Sequence, residues 1–86
     1  MRVGVAVLPA DPWPQAAVRV QQLEALGYAH LWTYDHLSWR RFRDSDWFGA
    51  VPWLTGVAAV TERIRVGTLV ASPNFRHPAA FARQVT

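Results

Sequence analysis

The sequence predicts an α/β fold in which three strands and three helices alternate, β-α-β-α-β-α, around a parallel sheet. Three observations carry that reading. Apolar runs rich in β-branched residues recur at Val3–Leu8, Ala29–Tyr34 and Ile64–Ala71, apolar residues at helical spacing follow each run, and prolines or a glycine stand at the joints. Such alternation implies right-handed crossovers, and both a closed barrel and a doubly wound sheet begin this way.

Val3–Leu8 is a continuous apolar run ended by Pro9, the pattern of a strand buried on both faces. Asp11, Pro12 and Pro14 make a helix entry, because an aspartate caps and a first-turn proline gives up an amide that has no partner there. Ala16, Val20, Leu23 and Leu26 then form an apolar stripe, and Gly27 closes the helix. The second strand, Ala29–Tyr34, runs into Asp35, His36 and Leu37. From Asp35 to Val51 no periodicity is visible, and connections of that length are often functional loops. Pro52 opens the second helix, with Leu54, Val57, Ala58 and Thr61 as its stripe. Ser72, Pro73 and Asn74 break the third strand, and Pro78 opens the third helix, in which Phe81 and Val85 are four apart. That helix has no terminal cap, and three parallel strands leave two apolar edges unpaired, so the pattern predicts a chain cut off at Thr86.

With 86 residues the chain falls short of the roughly 100–150 at which a single core is comfortable. Its 51% hydrophobic and 17% charged residues, with five Trp, four Phe and two Tyr, exclude a disordered chain. The absence of Cys excludes a disulfide scaffold, a thiolate metal site and a cysteine nucleophile, and fits a reducing cytoplasm. No apolar run approaches the roughly 18–20 residues of a membrane span, so no membrane partner is expected. All nine basic residues are Arg, which raises the isoelectric point although the net charge is only +3. Arg40, Arg41 and Arg43 beside Trp39, Phe42 and Trp47 could in principle grip a nucleic acid, but Asp44 and Asp46 blunt the patch and no nucleic-acid partner is expected.

Ligands of parallel α/β folds bind beyond the carboxyl ends of the strands, here Leu8–Asp11, Tyr34–Leu37 and Ala71–Pro78. Glycine-rich phosphate motifs are missing, which weakens a dinucleotide reading. Asp35-His36 could serve as a general acid/base pair, or else Asp35 caps a turn while His36 packs over the sheet. His77, before Pro78, reads as orienting a helix entry, and His30 lies near the start of its strand; the three histidines have no metal-ligand spacing, so no metal is expected. Ser72-Pro73 is either a cis bond forming a bulge or an ordinary trans loop. Trp47 and Trp53 either line an apolar pocket or cover the sheet.

Four strings carry a resemblance: Glu24-Ala25-Leu26-Gly27-Tyr28, Leu31-Trp32-Thr33-Tyr34-Asp35-His36-Leu37, Thr61-Glu62-Arg63-Ile64-Arg65-Val66-Gly67-Thr68-Leu69-Val70 and Ser72-Pro73-Asn74-Phe75-Arg76-His77-Pro78. In this order, over nearly the whole chain, they resemble the bacterial luciferase-like monooxygenase family. The resemblance implies a (β/α)8 TIM barrel, incomplete in this chain, with residues 1–86 as the amino-terminal part of its single domain. It implies an oxidoreductase or monooxygenase using FMN or 8-hydroxy-5-deazaflavin (coenzyme F420), with the ring at the carboxyl ends of the strands. His36 maps to the catalytic proton donor or acceptor beside the ring, and Asp35 to a residue that orients its loop. A bulge commonly containing a cis peptide maps to Ala71 and Ser72, with Ser72-Pro73 as the candidate bond. The implied cofactor-binding set is therefore Asp35, His36, Ala71 and Ser72.

Two chemistries follow from the resemblance: oxygenation by reduced FMN supplied by a partner flavin reductase, or direct hydride exchange between a small-molecule substrate and the deazaflavin. The full-length protein is expected to be a homo-oligomer. A barrel of this kind needs about 250 residues, so the isolated chain is expected to bind cofactor weakly and to be inactive. The competing expectation is a non-enzymatic assembly module that uses the barrel start as a scaffold and pairs its open edges.

Overall fold

A computed structural model of the chain describes residues 1–37 and 46–86. Trp39, Arg40, Arg41, Phe42, Arg43 and Asp44, which carried the nucleic-acid reading, lie outside the described residues. The elements are β1 (Gly4–Ala6), α1 (Trp13–Ala25), β2 (His30–Thr33), α2 (Ala50–Val60), β3 (Arg65–Thr68), a 3₁₀ turn (Pro73–Phe75) and α3 (Pro78–Val85). The strands form one parallel sheet in the order β1-β2-β3. Gly4, His30 and Arg65 share one row, and Ala6, Trp32 and Gly67 another. This is an α/β arrangement compatible with the start of a barrel.

The core lies between the sheet and α1 and α2. Val7 and Leu31 from the sheet side meet Ala16 and Val20 of α1, Trp53, Leu54 and Val57 of α2, and Ile64 before β3. Leu31 and Val20 are fully buried, and each such aliphatic side chain contributes about 1.5–3 kcal/mol. Along β2 the buried residues are Leu31 and Thr33, while His30 and Trp32 on the other face are half-buried. In β1, Gly4 and Ala6 are exposed and Val5 is half-buried, so the expected burial on both faces is not found. The reason is geometric: the core packs against one face of the sheet. On the open face the Trp32 indole lies across Gly67, where a Cβ would come within 2.7 Å of the ring, and its Nε1 donates to His30 Nδ1 at 2.9 Å.

Local chemistry accounts for the helix ends. Pro14 stands in the first turn of α1 as expected, but no side chain caps that helix, and Asp11 instead pairs with Arg19 at 2.6 Å. Gly27 adopts φ 96°, and the Gly27 amide donates to the Glu24 carbonyl at 3.0 Å while the Tyr28 amide donates to Leu23 at 3.3 Å. This is a Schellman closure, which needs the left-handed conformation that glycine adopts without a Cβ penalty. Leu26, expected in the stripe, falls at the C-cap and is 76% exposed. Helix α2 begins at Ala50 rather than Pro52, which puts Ala50, Trp53, Leu54 and Val57 on the buried face and leaves Ala58 exposed. Trp53 is thus a core residue, and its Nε1 has no partner among the described residues.

Candidate functional site

The carboxyl ends of the strands are joined through Thr33. Its hydroxyl donates to the Val7 carbonyl at 2.6 Å, and its carbonyl accepts from the Leu69 amide at 2.8 Å. Thr33 is completely buried, so these bonds form where water does not compete and leaving one unmade is costly. The segment that returns to α2 is fastened to the same end, with the Phe48 amide donating to Pro9 at 2.8 Å and Trp47 Nε1 to the His36 carbonyl at 2.8 Å. His36 is half-buried, with its ring edge-on to Tyr34 at 6.0 Å.

Asp35 points the other way, into the protein, and is 1% exposed. Its Oδ2 accepts from the Ser72 amide and from Arg76 Nη1, both at 2.7 Å, and its Oδ1 accepts from Arg76 Nη2. Arg76 Nη1 also donates to the Ser72 carbonyl at 2.7 Å. The guanidinium lies over the Phe75 ring at 4.5 Å and near the Phe81 ring at 5.0 Å, favourable positions for a cation against a π face. Burial pushes the Asp35 carboxyl upward, but the Arg76 and Ser72 hydrogen bonds and the neighbouring charges outweigh it and hold it below its ordinary value. The carboxylate in turn raises Arg76. Asp35 is therefore an anion locked into the third loop.

The four residues implied as cofactor-binding are thus brought to one edge of the sheet. Asp35 and Ser72 are in direct contact, Ala71 is the half-buried neighbour of Ser72, and His36 follows Asp35 in the chain. One expectation needs correction: among the described residues the cis peptide is Leu69-Val70, and Ser72-Pro73 is trans. Ser72 has its amide turned to Asp35 and its carbonyl to Arg76, whereas Leu69 and Val70 are 45% and 74% exposed. The exposed part of the third loop therefore begins directly at the end of β3, two residues before Ala71. His77 is exposed at the N-cap of α3 with no side-chain capping bond, and His30 opens β2, away from this end.

Arg76 was not among the residues expected at the site. The signal was a charge balance: an arginine at a helix entry, opposite an aspartate at the end of a buried strand, needs that partner. The part played by Thr33 had no comparable signal, because threonine is common in strands. At this end of the sheet His36 is half-buried, and Leu37, Leu69 and Val70 are exposed apolar residues. Among the described residues no three His, Cys, Asp or Glu gather to hold a metal, and no helix is long and apolar enough to cross a membrane.

The chain is 38% identical over 61 residues to an F420-dependent glucose-6-phosphate dehydrogenase of Beutenbergia cavernae, a match covering 70% of this chain and 18% of the relative. A protein described in the same words from Kineococcus radiotolerans is 38% identical over 63 residues, covering 72% of this chain and 19% of the relative. One from Microbacterium testaceum is 36% identical over 61 residues, covering 70% and 18%. The chain thus spans less than a fifth of the length of the curated relatives it matches. The family model described as luciferase-like monooxygenase matches residues 1–86, and the chain belongs to the luciferase-like monooxygenase family.

Proposed function

We propose that the protein is a deazaflavin-dependent oxidoreductase whose barrel opens with residues 1–86 and whose coenzyme ring lies at the carboxyl ends of β2 and β3. The observation that carries this reading is the tie between Asp35 and Ser72, which brings the imidazole of His36 and the apolar turn at Leu69 and Val70 to one edge of the sheet. The choice of deazaflavin over FMN is supported by the relatives, each of which is described as F420-dependent. In this reading Leu69 and Val70 present an apolar wall, Ala71 and Ser72 hold the turn behind it, and Asp35 shapes the loop from the protein side.

When bound, the coenzyme supplies a two-electron centre that accepts or gives a hydride. His36 takes the proton that a substrate hydroxyl loses as its carbon is oxidised, at one of its ring nitrogens, and returns it in the reverse direction. A flavin reductase partner belongs only to the FMN outcome. The 86-residue chain by itself is inactive in this reading, since a barrel needs about 250 residues, and the intact protein assembles as a homo-oligomer.

The test is His36→Asn in the intact protein. Turnover with reduced or oxidised deazaflavin should fall about 10²–10⁴-fold, the usual contribution of a positioned acid or base, with coenzyme affinity nearly unchanged. Unchanged turnover would remove His36 from the chemistry.

A further inference from the structure

We propose that Arg76 is a positioning residue: by gripping both the Asp35 carboxylate and the Ser72 carbonyl, it sets the distance between His36 and the turn that faces the coenzyme. The proposal rests on the functional reading above and adds to it the element that holds the two sides of the site in register.

The geometry forms a closed circuit. The Ser72 amide donates to Asp35 Oδ2 at 2.7 Å, the Ser72 carbonyl accepts from Arg76 Nη1 at 2.7 Å, and the same Nη1 donates back to Asp35 Oδ2 at 2.7 Å. Arg76 Nη2 closes the fork on Oδ1. Ser72 therefore cannot move relative to Asp35 without breaking contacts on both its amide and its carbonyl. Asp35 is joined to His36 by one peptide bond, and the His36 carbonyl is held separately by Trp47 Nε1 at 2.8 Å. A shift of the third loop at Ser72 would thus move the turn that follows Leu69 relative to His36, and with it the start of α3, which Phe81 ties to the same guanidinium.

The fork requires arginine. A planar guanidinium satisfies two carboxylate oxygens and a carbonyl in fixed directions, whereas a lysine ammonium is a point charge on a flexible stem. Phe75 and Phe81 fix the guanidinium plane, and Phe81 belongs to α3, so the first turn of that helix is part of the same clamp. Among the described residues, the charged or titratable groups acting on Asp35 are Arg76 and His36. Removing Arg76 leaves a buried carboxyl whose ionisation burial opposes, beside the imidazole proposed to carry the proton.

The experiment compares the intact parent with Arg76→Lys and Arg76→Ala. It measures deazaflavin affinity, kcat and KM, the pH profile of turnover, and hydrogen exchange at the Ser72 amide. Arg76→Lys should lower kcat about 10²-fold with a smaller change in KM, as expected for a misplacement of roughly 1 Å, and should expose the Ser72 amide to exchange. Arg76→Ala should alter the acid side of the pH profile relative to the parent, because the Asp35 carboxyl loses the partner that helps hold it below its ordinary value. Should Arg76→Ala fail to fold, Arg76→Lys decides. A folded Arg76→Lys protein with parental kcat, or with parental protection at Ser72, overturns the proposal while leaving the functional reading intact. A parent that binds no deazaflavin overturns that reading, and the proposal with it.

Discussion

At the amino ends of the strands the Glu24 carboxylate accepts hydrogen bonds from three successive backbone amides, Glu62, Arg63 and Ile64, at 2.6–3.2 Å. At the carboxyl ends the Asp35 carboxylate accepts one amide and a guanidinium. Glu24, near the end of α1, fastens the entry to β3 to the first βα unit, whereas Asp35, just after β2, fastens the third unit to the second. Glu24 does so at the surface, where water shares the burden of its charge, and those amides, Ile64 first, hold its carboxyl below its ordinary value. Asp35 does so in the interior, where an anion needs a cation and a full set of hydrogen bonds. A buried ion pair is a poor route to stability compared with packed apolar side chains. Its presence beside His36, and not at the amino end, argues that geometry is what it secures.

Breaking the two ties should have unequal effects. Arg76→Ala leaves Asp35 buried without its cation and should destabilise the protein by about 3–5 kcal/mol in a urea titration. Thr33→Val separates backbone fastening from charge at the same end; it removes a buried hydrogen bond and leaves the Val7 carbonyl unpaired, for a loss of about 1–3 kcal/mol. Glu24→Gln keeps an acceptor oxygen at the surface and should shift the urea midpoint least. A larger loss from Glu24→Gln than from Arg76→Ala would invert the comparison.

Acid sharpens it further. Both carboxyls are held below their ordinary values of 3.8 for Asp35 and 4.5 for Glu24, so the stability they contribute is fully present above those values and is lost as pH falls through the lower folded ones. Urea midpoints measured downward from pH 5 should therefore fall in the parent. The fall should be shallower in both Asp35→Asn and Glu24→Gln, because each removes one of the titrating groups.

Much of this arrangement was legible in the residues. The alternation of elements and the parallel sheet followed from β-branched runs and proline joints, and Gly27 marked its helix end because a Schellman closure calls for glycine. Helix phase was less legible: Pro52 looked like a first residue, yet Gly49 stands at the N-cap and the helix gains a turn-fraction that buries Trp53. The site was read as a place more than as a set of contacts. Asp35, His36 and Ser72 were identified by their position after strands, but the tie through Arg76 spans 41 residues of sequence and has no local periodicity. The exposed start of the third loop at Leu69 and Val70 was placed two residues late, because an apolar run does not reveal where its ladder stops.

The central claim is that this end of the sheet receives a deazaflavin ring, and the most direct measurement is a fluorescence titration of the intact protein with coenzyme F420 and, in parallel, with FMN. The account predicts saturable binding of F420 that is tighter than that of FMN. Binding of neither, or preferential binding of FMN, would contradict it.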